Sequence, residues 1–269
     1  FFFNCHNYFF EEISKFRAAR SIWSKIMKER YKVNDEKAML CRFHTQTAGS
    51  SLQAQQIDNN IVRTTMQAAA AILGGTQSLH TNSKDEALSL PTEQAAKTAL
   101  RTQQILAYET GLPDVVDPLA GSYYIESLTK EIEEKTFKLI KSVDELGGAI
   151  SAIENNFQQN EISNTSYDYQ KKVESKDQII VGNNQFVEQK KDIYSVQKIE
   201  EDEIENQLNR LNTFLKNRDD IKVKESLLQL SNDIDKNINL LPTIINAVKN
   251  NCTLGEICNE LKEKFGEHY

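Results

Sequence analysis

The sequence predicts an α/β fold built on a parallel sheet and followed by a mostly helical extension, on three observations. Between Met39 and Leu90 an apolar run, an amphipathic segment and a second apolar run follow one another in strand, helix, strand order. Each apolar run ends in polar residues, 44–47 and 80–83, as strands do where a parallel α/β sheet presents a ligand site at its carboxyl edge. After Phe186 large apolar residues thin out, charge rises, and one-sided helical stripes replace strands.

Taken in order, residues 1–5 form the first strand, with Asn4, His6 and Asn7 at its polar end. From Phe9 the spacing of Phe10, Ile13, Phe16, Ala19, Ile22, Trp23 and Ile26 predicts a helix, and 33–37 a loop. Residues 39–43 are the second strand, apolar enough for a sheet covered on both faces. The helix over 55–73 is expected to bury Ile57, Ile61, Val62, Thr65, Met66, Ala69 and Ile72. Gly74 and Gly75 end it, since glycine accepts the left-handed conformation favoured at helix ends. Residues 76–79 are the third strand.

Ser83 and Glu86 fit a capping box before a short helix that Pro91 interrupts. Thr92 caps a helix over 93–110, and Gly111 stops it. Residues 115–124 read as a loop with proline and glycine punctuation. The helix that follows turns Ile132, Phe137, Leu139, Ile140 and Val143 inward. Shorter helices at 149–155 and 161–175 precede a strand-like 178–181. The first domain is expected to span 1–187 and the second 188–269. The second opens with a polar linker over 188–203. It continues with the stripes Ile204, Leu208, Leu211, Leu215 and Val223, Leu227, Leu230, Ile234, then residues 240–248 and a helix capped by Thr253. Such one-sided helices need a partner surface.

The chain has 269 residues and a net charge of −7, enough for one large or two ordinary domains. The acidity belongs to the second half: residues 1–125 hold 13 Lys and Arg against 12 Asp and Glu, residues 126–269 hold 19 against 27. That balance speaks against nucleic acid, which selects clustered cations. No apolar run approaches the roughly 20 residues of a membrane span. Cys5, Cys41, Cys252 and Cys258 form no CxxC pair, so reduced thiols in a cytoplasmic protein are expected rather than zinc ligands.

Several residues could carry chemistry. His6, His44 and His80 each follow a predicted strand, yet no nearby carboxylate is spaced to orient them, so hydrogen bonding is preferred to a metal site. His44 and Gln46 alternate along one strand end and therefore point to the same side. They either line a cavity, where they could hold an acyl group or a cofactor amide, or make internal hydrogen bonds. Gln77 and Asn82, at the second polar tip, could face the same cavity. Gly49 either makes a turn or lets a flat ligand approach the backbone. Arg63 and Asn59 read as helix-surface pairs or caps.

The string FHTQTAGSSLQAQQIDNNIVRTTMQAAAAILGGTQSLHTNSKDEALSLPTE, from Phe43 to Glu93, resembles the barrel domain of the methylmalonyl-CoA mutase family. The likeness extends upstream through FFEEISKFRAARSIWSKIMKERY and downstream through DPLAGSYYIESLT, IIVGNNQF and TLGEICNELKEKFG, so it covers nearly the whole chain. It implies the C-terminal part of a (β/α)8 TIM barrel followed by a mostly helical extension. Only about three barrel strands are found and a complete barrel needs roughly 250 residues. The chain is therefore expected to be the C-terminal portion of a longer subunit, inactive alone.

The resemblance implies an isomerase that interconverts methylmalonyl-CoA and succinyl-CoA by radical rearrangement, using adenosylcobalamin and an acyl-CoA substrate. Isobutyryl-CoA and 2-hydroxyisobutyryl-CoA mutases share the barrel, and a non-catalytic subunit-pairing module is the alternative from another class. The resemblance assigns His44, Gln46 and Gln77 to the substrate cavity. It places Gly49, Glu86, Ala87, Ser89 and Leu90 against the corrin, with Ser89 standing where alanine is expected. No catalytic residue and no metal ligand is assigned to this chain. The D-x-H-x-x-G signature that supplies the cobalt ligand is missing from these residues. A cobalamin-binding small subunit or domain is therefore an expected partner, in a dimer or heterodimer.

Overall fold

The computed structural model describes residues 1–188, 194 and 196–267. The chain forms two compact units, Phe1–Gln197 and Lys198–Tyr269. The fold is mixed α/β, mostly helical, with one small parallel sheet.

In the first unit β1 (Phe2–Cys5), β2 (His44–Thr47) and β3 (Ser78–His80) lie side by side in that order, all parallel. Phe2 pairs with His44 and His44 with Ser78, so the strands start level. Helix α1 (Phe9–Lys25), extended by a π-helical turn over Ile26–Arg30, joins β1 to β2, and α2 (Asn59–Leu73) joins β2 to β3. Successive side chains along a strand alternate in face. Phe3, Cys5, Thr45, Thr47 and Leu79 turn toward the helices. Phe2, Asn4, His44, Gln46, Ser78 and His80 share the other face.

The core under the covered face holds Cys5, Ile13, Phe16, Cys41, Phe43, Ala70 and Ala71. Phe16 stacks on Phe43 with ring centroids 5.1 Å apart. Burying each such ring contributes roughly 2 kcal/mol or more.

Several expectations are corrected by the structure. The second strand is His44–Thr47, not 39–43: the ladder opposite β1 begins at His44, whose N–H donates to the Phe1 carbonyl at 2.9 Å. Cys41 and Phe43 are buried as an irregular lead-in. Thr45 and Thr47 enter the interior because Thr45 Oγ1 donates to Thr76 Oγ1 at 2.8 Å and Thr47 Oγ1 accepts from Asn82 N at 2.9 Å. Second, α2 buries Asn60, Thr64, Gln67, Ala68, Ala70 and Ala71, leaving Val62 and Met66 exposed. Small residues let the helix lie close to the sheet; the Asn60 and Gln67 amides are hydrogen-bonded, whereas the Thr64 hydroxyl is buried without a partner among the described residues. Gly75, not Gly74, takes the positive φ after this helix.

Third, 178–181 is no strand; Val181 makes only an isolated bridge to Gln185. Fourth, residues 84–88 form turns rather than a helix. Glu86 N donates to the Ser83 carbonyl, so the acid that organises this loop is Asp85. Its Oδ2 accepts from the backbone N and the hydroxyl of Thr92 at 2.9 and 3.0 Å, and Thr92 caps α3 (Glu93–Tyr108).

Helix α4 (Tyr123–Glu145) and the loop before it meet α1 and its π-helical turn through polar contacts: Arg17 to loop Asp117 and to Glu126, Ser21 and Lys25 to Glu133, Arg30 of the turn to Asp144. Leu139, expected inward, is consequently exposed. Helices α5 (Ala149–Glu154) and α6 (Phe157–Glu174) follow.

The second unit holds α7 (Glu201–Asn217), α8 (Asp220–Asp235), α9 (Leu241–Lys249) and α10 (Leu254–Phe265). Val223, Leu230, Ala247, Cys252 and Ile257 form its core. Thr253 and Glu256 make the capping box of α10, and Glu256 takes a two-pronged contact from Arg218 at 2.8 and 2.7 Å. Part of the expected linker, residues 189–193 and 195, lies outside the described residues. Among the described residues no helix is long and apolar enough to cross a membrane.

Candidate functional site

The sheet is covered on one face only within the described residues, although parallel sheets bury both. Besides Phe2 at its start, the open face carries Asn4, His44, Gln46, Ser78 and His80. These are polar groups at positions where a buried strand would otherwise be apolar.

At the carboxyl end of the strands this face runs into a rim. Gln46 Nε2 donates to Asn82 Oδ1 at 3.1 Å, joining the tips of β2 and β3. Gly49 follows directly after β2, and a Cβ there would lie 2.8 Å from Asn82 Nδ2 and 3.5 Å from Glu86 Oε1. Gly49, Asn82 and Glu86 are therefore neighbours, and the glycine is required by the amide packed on it. Asn82 is 2% exposed and its Nδ2 is buried without an acceptor. An orphaned donor of this kind costs about 1–3 kcal/mol.

The strand ends are braced from behind. Gln67 Oε1 accepts from Ala48 N at 2.9 Å, and its Nε2 donates to Asn7 Oδ1 at 2.6 Å and Ser51 Oγ at 2.7 Å. One buried amide thus ties the loops after β1 and β2. Asn60 does the same for the next pair, donating to the carbonyls of Gln53 and Lys84 at 2.8 and 2.9 Å. Neither residue was singled out from sequence. The available signal was a lone glutamine inside the run from Met66 to Ile72, and an asparagine doublet at the helix start.

Of the residues expected at the site, His44 and Gln46 share the open face. His44 Nδ1 lies 2.7 Å from Ser78 Oγ and its ring packs 5.0 Å from Phe2. Glu86, Ala87 and Leu90 are exposed on the rim loop; Ser89 is half-buried and its hydroxyl donates to the Leu90 carbonyl at 2.8 Å. Gln77 does not join them. It precedes β3 at the opposite end of the sheet, where its Oε1 accepts from Phe43 N at 2.7 Å and its Nε2 donates to the Gly75 carbonyl at 2.8 Å. Its amide is committed to the backbone there, away from the rim. His6, at the tip of β1, is half-buried, and burial pushes its pKa down, favouring the neutral ring. Among the described residues no three His, Cys, Asp or Glu side chains gather as a metal site. Burial pushes the Cys5 thiol well above its ordinary value.

Amides and one carboxylate thus stand beside the apolar Ala87 and Leu90, groups able to hydrogen-bond and to make apolar contact. The family described as methylmalonyl-CoA mutase matches residues 1–267. The chain belongs to the methylmalonyl-CoA mutase family.

Over its whole length the chain is 43% identical to the 2-hydroxyisobutanoyl-CoA mutase large subunit of Aquincola tertiaricarbonis, covering 48% of that protein. It is 41% identical to methylmalonyl-CoA mutase of Rhizobium meliloti and 38% to the human mitochondrial enzyme, covering 38% and 36% of them. It thus spans between about a third and a half of the curated relatives it matches.

Proposed function

We propose that residues 1–187 are the C-terminal part of the barrel of an adenosylcobalamin-dependent acyl-CoA mutase, and that 188–269 are its linker and helical extension. The reaction is the interconversion of methylmalonyl-CoA and succinyl-CoA. The observation that carries this reading is the convergence of Gln46, Gly49, Asn82 and Glu86 at the carboxyl edge of a parallel sheet whose polar face is open.

Adenosylcobalamin, when bound, supplies the radical by homolysis of its cobalt–carbon bond. The residues here would bind and orient. Asn82 Nδ2, buried without an acceptor, and Glu86, exposed, present a donor and an acceptor toward corrin side-chain amides. Ala87 and Leu90 offer apolar contact to its edge, and Ser89 shapes the loop between them. His44 and Gln46 would face the acyl group from the inner wall, with His44 held by Ser78. The cobalt ligand comes from a cobalamin-binding domain or separate chain; a relative named as a large subunit supports the latter. No catalytic side chain is assigned to these residues. The cytoplasm is the proposed compartment.

The 43% identity to a 2-hydroxyisobutanoyl-CoA mutase favours a second reading of the substrate. Both readings share the cofactor seat. The test is cobalamin retention, followed by absorbance, when the barrel-completing chain, this chain and a D-x-H-x-x-G chain are mixed. Retention is expected with the wild-type chain and at least tenfold weaker with Glu86→Ala; equal retention by both would reject the seat. Supplying each acyl-CoA to the same mixture separates the substrates.

A further inference from the structure

Between the start of α2 and residues 178–181 lies a cavity of about 310 Å3, whose lining includes Asn7, Asn59, Arg63 and Tyr169. One wall is α2 with the loops after β1 and β2, the other α6 with residues 178–181, and both belong to the first unit. The cavity is therefore built by elements of this unit.

The Arg63 guanidinium bridges the two walls. Nη1 donates to Asn60 Oδ1 and Nη2 to the Val181 carbonyl, each at 2.7 Å. Both acceptors are neutral, and the remaining N–H groups of the fork are unspent. Arg17 meets Asp117 and Glu126, and Arg30 meets Asp144, but Arg63 has no carboxylate partner among the described residues. Half-buried without a counter-charge, it has its pKa pushed down by desolvation. A cation so placed gains from a charged acceptor.

The rest of the lining is tilted toward donors. Asn7 Oδ1 accepts from Gln67 Nε2, which leaves Asn7 Nδ2 without an acceptor among the described residues, and the Tyr169 hydroxyl is likewise unpaired among them. Acceptors are mostly taken. Gln53 Oε1 receives Asn183 Nδ2 and Gln178 Oε1 receives the Tyr8 hydroxyl, each at 2.7 Å, so of the lining amide oxygens that of Asn59 stays open. No carboxylate lines the space among the described residues. A guanidinium fork with an amide N–H and a phenol O–H matches an oxyanion, which accepts several hydrogen bonds at once. Small-molecule sites span roughly 300–1,000 Å3, so this volume limits the ligand to a few heavy atoms.

The cavity also touches the braces of the rim. Asn60, which receives Arg63, holds the Gln53 and Lys84 carbonyls, and Gln67, which grips Asn7, holds Ala48 N–H. An anion on Arg63 and Asn7 would sit one hydrogen bond behind both.

We propose that this cavity binds a small oxyanion of the phosphate or carboxylate class, held by Arg63 with Asn7 and Tyr169. The site is separate from the cofactor seat, and either assignment can fail without the other.

Calorimetric titration of the full 269-residue chain with inorganic phosphate, and separately with acetate, tests it at an ionic strength held constant with chloride. Saturable binding of at least one anion is expected, and the tighter of the two names the class. Arg63→Gln should weaken it at least tenfold. Tyr169→Phe, at a partly exposed residue outside both cores, should weaken it at least threefold, so the test survives if the arginine variant fails to fold. The bound anion should raise the thermal midpoint of the wild type and not that of Arg63→Gln. Repeated on the assembly with a barrel-completing chain, the titration should still show the Arg63-dependent site. No saturable binding of either anion, binding unchanged in either variant, or loss of the Arg63-dependent site on assembly would each overturn the proposal.

Discussion

Gln67 does more for the rim than any residue that faces it. Its side chain closes three hydrogen bonds behind the strand tips while 1% exposed. Gln67→Leu keeps the volume but leaves Ala48 N–H, Asn7 and Ser51 without their partner. The expected loss is about 3 kcal/mol, read as a lower denaturant midpoint with an unchanged slope. Gly49→Ala probes the front of the same structure. Its new Cβ meets Asn82 Nδ2, so the amide must move and the Gln46 contact breaks. Roughly 1–3 kcal/mol of destabilisation is expected from such overpacking, read as a fall in thermal midpoint. The open question in the sequence was whether Gly49 makes a turn or admits a ligand. The structure adds a third reason, a neighbouring side chain, which becomes visible only once 49 and 82 are brought together. The end of the sheet that Gln77 occupies was hidden for a related reason: a polar residue at a strand boundary looks the same at either end, and only the pairing of His44 with Ser78 shows which end it is.

At the scale of elements, helices with one apolar side were legible and short strands were not placed well. The stripe Val223, Leu227, Leu230 and Ile234 does line the core of the second unit, and Thr253 does cap α10. The second strand was misplaced because hydrophobicity marks burial, not hydrogen-bond pairing. Cys41 and Phe43 are buried without being strand, whereas Thr45 and Thr47 are strand and buried because their hydroxyls are satisfied. The packing of α10 on its unit also has a pH signature. Hydrogen bonds from Arg218, with those from Thr253, hold the Glu256 carboxyl down from its ordinary 4.5 to about 2. A carboxyl lowered on folding stabilises fully above its unfolded value, and that contribution is lost as pH falls. Unfolding of the second unit should therefore become easier from about pH 4.5 toward pH 2. Glu256→Gln should be less stable at neutral pH and should lack this part of the acid dependence. A parallel acid profile in the variant would show that the ion pair is not responsible.

At the scale of the molecule, the described residues hold three strands in a sheet whose edges, β1 and β3, are unpaired among them and whose largely polar face is uncovered among them. An isolated parallel sheet of this kind is incomplete by the physics of sheets, because edges and faces both call for cover. The strand, helix, strand order made the α/β class legible from 269 residues. How the sheet continues was not, since nothing in three short strands fixes what pairs with their edges. The same holds for chemistry. The rim holds amides and a carboxylate, proposed above to bind the cofactor, and no group that would touch reacting atoms is assigned to these residues. The central claim is thus that this chain supplies part of the cofactor seat and gains function only within a completed barrel.

The most direct measurement is adenosylcobalamin-dependent interconversion of methylmalonyl-CoA and succinyl-CoA. It compares this chain alone, the chain reconstituted with a barrel-completing and a cobalamin-binding chain, and the same assembly carrying Gln46→Ala. No turnover is expected from the chain alone, clear turnover from the assembly, and a loss of tenfold or more in the variant. Turnover by the chain alone, or full activity with Gln46→Ala, would contradict the account.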